Sequence, residues 1–151
     1  MDAMDDLAAL RNSVVGFARI AEGRAVITEL ADADGPGRHF ELRCVDPSER
    51  YARMMVAWNG GDSTIYLGSA VVLEYHKVSL EEFTEIVRMH VTAVVLGHLV
   101  EDRTVDPNGR LLACKTTMLL DGEEFVDRHS TLFYRRNTAR QITFRYAGYR
   151  D

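Results

Sequence analysis

The sequence predicts a single α+β domain over residues 1–151, an antiparallel sheet packed by a long central helix and an N-terminal helix. Two segments, 2–22 and 80–102, repeat apolar residues at three- and four-residue spacing, the period of a helix with one buried face. Around them, alternating apolar and polar residues are punctuated by Gly-Gly, Asp-Gly and proline turns; strands joined this tightly pair antiparallel, because parallel neighbours need long crossovers. A chain of 151 residues, 46% of them hydrophobic, fills one core without disulfides or metals.

In residues 2–22, Leu7, Leu10, Val14, Phe17 and Ile20 share one helix face. Acids crowd the first turn, near the positive end of the helix dipole, and Gly23 stands where a helix-ending glycine belongs. Strands are expected at 24–31 and 38–45, forming a hairpin through Asp34-Gly35-Pro36-Gly37, which combines one fixed φ with two positions free to take positive φ. Residues 51–58 alternate, with Ala52, Met54, Val56 and Trp58 on one face and Arg53 on the other. Asn59-Gly60-Gly61-Asp62 turns the chain into a long strand, 64–76, whose odd positions Ile65, Leu67, Val71, Leu73 and Tyr75 are apolar.

Ser79-Leu80-Glu81-Glu82 is a capping box, in which the serine and the second glutamate satisfy each other's backbone amides. It opens a helix from Leu80 to Asp102, with Leu80, Phe83, Val87, Val91 and Val94 turned inward. Beyond Val91 the helix is apolar nearly all round, so a second layer or a partner must cover it. Asp106-Pro107-Asn108-Gly109 leads into a strand at 110–120, with Leu112, Cys114, Met118 and Leu120 on one face. Asp121-Gly122 and Arg136-Asn137-Thr138 then turn the chain into strands at 124–135 and 139–147, a three-stranded meander whose last strand buries Ile142, Phe144 and Tyr146.

The nucleophile elbow, the zinc-binding His-Glu-x-x-His, the phosphate-binding glycine loops and the EF-hand are absent from the sequence. Cys44 and Cys114 match no metal or redox spacing and read as two reduced core thiols. His98 and Asp102 lie four apart on the expected helix, but two ligands do not make a metal site. Glu81, Glu82 and Glu85 are explained by capping, and Glu74 with His76, on one strand face, reads as a cross-strand polar pair. No cofactor is expected.

The net charge is −5 but uneven: residues 128–151 hold six arginines against one aspartate. Arginines interleave with Phe133, Tyr134, Phe144 and Tyr146, as in binders of single-stranded nucleic acid, yet Phe144 and Tyr146 fall on the core face, so nucleic acid is not the expected partner. The first residues, Met-Asp-Ala-Met-Asp-Asp, are acidic where a secretory leader is basic, and no apolar run reaches the roughly 18 residues of a span. A cytoplasmic protein with no membrane span is expected.

From 71 to 147 the order of features is VVLEYHKV, SLEEFTEIVRMHV, NGRLLACKTTMLLDGEEF, RHSTLFYRR and ARQITFRYA. This strand, helix and strand series resembles the PsbP-like fold and, within it, the small Eag-type chaperones of type VI secretion. The resemblance implies a non-enzymatic chaperone or adaptor, a dimer whose apolar grooves shield a hydrophobic segment of a secretion cargo. Met54, Met89, Val91, Val95 and Leu99 are the expected partner-binding residues, with a homodimer formed through the apolar half of the long helix. An immunity-type inhibitor of a toxin, and a small-ligand-binding domain or enzyme with an unrecognised pocket, are the alternatives.

Overall fold

In the computed structural model, which describes residues 3–32, 35–131 and 138–151, the first apolar stripe folds as α1, Ala3–Phe17, continued by a 3-10 turn at Ala18–Ala21. Leu7, Leu10 and Val14 are buried as expected, but Ile20 is 39% exposed. Tightening to three residues per turn rotates the chain, so Ala18 and Ala21 go inward in its place.

Five strands follow: β1 Ala25–Asp32, β2 Gly35–Cys44, β3 Met54–Asn59, β4 Asp62–Leu67 and β5 Val71–Tyr75. They form one antiparallel sheet in sequence order. β2 starts at Gly35, earlier than expected, and the expected turn residue Asp34 lies outside the described residues. Ala52, Met54, Val56 and Trp58 are all buried.

The single strand expected at 64–76 is two strands joined by a hairpin at Gly68, where φ is 58°. The periodicity conceals the turn. Leu67 pairs with Val71 and Ile65 with Leu73, so a three-residue loop leaves every odd residue on the same face.

The capping box forms as expected: the Ser79 hydroxyl accepts from the Glu82 amide at 3.1 Å, and the Glu82 carboxylate accepts from the Ser79 amide at 3.0 Å. The helix it opens, α2, is Leu80–Leu96 and ends well before the expected Asp102. Gly97 stops it, with φ 71° and the His98 amide donating back to Ala93 O at 2.8 Å. A Cβ at Gly97 would also run into the backbone of Ala147 and Gly148.

The residues after Gly97, expected in the helix, instead form β6, Leu99–Val105. With β7 Leu111–Leu120, β8 Glu123–Ser130 and β9 Arg140–Arg145 it makes a second antiparallel sheet, ordered β8-β7-β6-β9. The expected meander is therefore a Greek key: β9 returns to the far side of β6 instead of pairing with β8. Ile142, expected inside, is 38% exposed there, and the expected turn residues Arg136 and Asn137 lie outside the described residues.

α1 and α2 lie over the inward face of the first sheet, and α2 also touches β7. His90, Val91, Ala93, Val94 and Val95 are thereby buried, so most of the apolar half of α2 is covered within one chain, with Leu96 left 42% exposed. The C-terminal segment straps the halves together. Ala147 bridges Tyr51 and donates to Arg50 O at 2.8 Å, and the fully buried Tyr149 donates its hydroxyl to Ala52 O at 2.7 Å. No helix among the described residues is long and apolar enough to cross a membrane.

Candidate functional site

The expected partner-binding residues go mostly inside. Met54 and Val95 are 1% exposed and Val91 and Leu99 not at all, all four filling the chain's own core; Met89 alone is partly open. A partner groove built from these residues is closed in this arrangement.

The other sequence candidates are dispersed. His98 and Asp102 share no helix face, because α2 has ended; Asp102, on β6, accepts from the Thr143 hydroxyl at 2.9 Å. His76 sits 3.1 Å from Asp62 with both side chains exposed, while Glu74 stands opposite Thr64. Glu85 is taken by Arg88 at 2.6 Å, and the Ser79 amide holds the Glu82 carboxyl below its usual range. Cys44 and Cys114 are buried and free, and burial pushes the Cys114 thiol up. Phe133, Tyr134, Arg135 and Arg136, central to the nucleic-acid pattern, lie outside the described residues. Among the described residues no group of three His, Cys, Asp or Glu side chains is placed to hold a metal.

Three features that sequence reasoning missed have chemical character. The first surrounds Glu101 on β6, which is wholly buried. Its Oε1 accepts from the Ser69 amide at 2.7 Å and from the Tyr146 hydroxyl at 3.1 Å, and its Oε2 from Arg103 Nε at 2.7 Å. Arg103 also donates to the Tyr146 oxygen at 3.1 Å and lies 4.5 Å over the Phe144 ring. The network borders a cleft of about 350 Å³ that also takes in Glu49, Tyr51 and Arg53. Its charges are matched: Arg103 is held by Glu101, and Arg53 stands 3.8 Å from Glu41. The arrangement joins the β4–β5 hairpin to the second sheet.

The second feature is on the outward face of the first sheet. Met55 pairs with Tyr66 and Tyr66 with Val72, one row across three strands. Tyr66 is 40% and Val72 49% exposed. Register places Glu41, Arg43 and Glu74 on this same face, and Arg53 reaches Glu41 there at 3.8 Å.

The third is a groove of about 580 Å³ on the second sheet. Two rows of side chains on one face line it. One runs Thr143, Asp102, Lys115, Arg128, and the other Gln141, Thr104, Ala113, Ser130, with the backbone of the intervening row as the floor. No protein family, curated protein or solved structure was found to match the chain.

Proposed function

We propose that the chain is a non-enzymatic adaptor that binds an apolar segment of another protein, one carrying basic residues beside that segment. The row Met55, Tyr66, Val72 carries the reading: large apolar side chains stand side by side on a solvent-facing sheet, as interfaces arrange them. The net charge of −5 favours a cationic partner and steers its approach, and on this face Glu74 is the acid placed to meet it, Glu41 being paired with Arg53. A chaperone for secretion cargo and an immunity protein against a toxin are two forms of this activity. The buried free thiols suit a reducing compartment, in keeping with a cytoplasmic role.

Fluorescence anisotropy with labelled synthetic peptides tests it. An apolar peptide flanked by lysines should bind, the same peptide flanked by glutamates should not, and Tyr66→Glu with Val72→Glu should weaken binding by about tenfold or more. Binding that is absent, or indifferent to both the flanking charge and the substitutions, removes the reading. Self-association by light scattering that Tyr66→Glu abolishes assigns the face to a second copy instead.

A further inference from the structure

The groove on the second sheet carries an inference of its own, on a different face from the proposed docking row. Lys115 of β7 stands directly opposite Arg128 of β8, and neither has a hydrogen bond or ion pair among the described residues. Like charges opposite one another on neighbouring strands are destabilising. Asp102 of β6 stands opposite Lys115 on its other flank, yet its carboxylate accepts from the Thr143 hydroxyl and makes no ion pair with Lys115, so both cations, at one side of the groove, stay unpaired among the described residues. The other side has a different character: Asp102 is held by the Thr143 hydroxyl, and Thr104 and Gln141 stand in the next row. Ala113, beside Thr104, leaves room between the two sides.

We propose that this groove binds a phosphorylated polyol, a small molecule with a phosphate at one end and hydroxyls at the other. Side chains opposite one another on neighbouring strands start roughly 5 Å apart, so the heads of Lys115 and Arg128 can both reach one phosphate. Arg128 grips two of its oxygens and Lys115 adds a point charge. Asp102 repels the phosphate and accepts from a hydroxyl, which fixes the direction in which the ligand lies, while Thr104 and Gln141 bond to further hydroxyls. The volume is that of a small-molecule site.

Isothermal titration of the full chain with ribose 5-phosphate, inorganic phosphate and ribose tests this. Ribose 5-phosphate should bind saturably and about tenfold or more tighter than either fragment. Arg128→Gln should weaken it by about tenfold or more while raising the urea midpoint of the free protein, because the repulsion is relieved. That pairing of signs separates a binding residue from a structural one. Lys115→Met should repeat the loss of binding should Arg128→Gln fail to fold. Absence of saturation, binding unchanged in both variants, inorganic phosphate binding as tightly as ribose 5-phosphate, or a short single-stranded oligonucleotide binding more tightly than the sugar phosphate each overturns the proposal.

Discussion

Glu101 survives without water because all its neighbours answer it: two donors on one oxygen and a guanidinium on the other. Removing one member of such a buried pair leaves the other uncompensated, so Glu101→Ala should cost about 3–5 kcal/mol in urea denaturation. Glu101→Leu combined with Arg103→Met should recover much of that, since an apolar pair of similar size has no charge to desolvate. A buried glutamate looks like a surface residue in any hydropathy pattern, so neither it nor the strand that carries it is legible in the sequence. His90 makes the opposite point. Burial lowers its pKa from 6.5, Nδ1 donates to Ile86 O at 2.7 Å, and Nε2 has no hydrogen-bond partner among the described residues. The folded state therefore holds it neutral, while the unfolded chain takes up a proton below pH 6.5. The stability this contributes is full above pH 6.5 and is lost as pH falls through the lowered folded value. Urea midpoints should drop over that interval, and His90→Phe should flatten the part of the slope that histidine supplies.

At the scale of elements, the start of α2 was legible and its end was not. The capping box is a local chemical pattern, and Ser79→Ala should cost about 1 kcal/mol, measurable by chemical denaturation. The end depends on Gly97 meeting Gly148, a contact between distant parts of the chain, while Leu99 and Val100 continue the apolar run that made the helix look longer. β6 then hides its own alternation, because Glu101 occupies an inward position. The hairpin at Gly68 was hidden by parity, since its loop keeps the odd residues in phase. The C-terminal strap is the element most concentrated in one residue: Tyr149→Ala empties a fully buried site and removes the bond to Ala52, so a loss of about 3–5 kcal/mol is expected in the same assay.

For the whole molecule, the α+β class and antiparallel pairing followed from period and turn chemistry, whereas the split into two sheets did not. Pairing β9 with β6 places Phe144 and Tyr146 beside Arg103 and Glu101, and that complementarity is invisible until the fold brings the four together. The candidate site was correspondingly illegible: neither the Tyr66–Val72 row nor the Lys115–Arg128 pair exists before the register does. The two sheets are joined by the Glu101 network, the Tyr51–Ala147 bridge and the Tyr149 bond. They should therefore unfold as one cooperative unit. Fluorescence of Trp58, the chain's one tryptophan and a residue of the first sheet, should follow the same urea transition as far-UV circular dichroism over both sheets. An earlier transition in either probe would show the halves to be separable.

The β4–β5 hairpin also bears on where foreign sequence can be spliced into this protein. Gly68 and Ser69 are both exposed, and by accessibility the hairpin is as inviting as the tip at Asn108 and Gly109. The two are not equivalent. A Cβ at Gly109 would meet nothing within 4 Å, whereas one at Gly68 would strike the Glu101 carboxylate, and the Ser69 amide is committed to that same group. A tag grafted between Asn108 and Gly109 disturbs only bonds inside its own turn, where the Asn108, Gly109 and Arg110 amides donate to Asp106; the same tag between Gly68 and Ser69 withdraws the lid from a buried charge. Solvent exposure is here a poor guide to insertion sites, and the better one is what the backbone amides of the turn are holding.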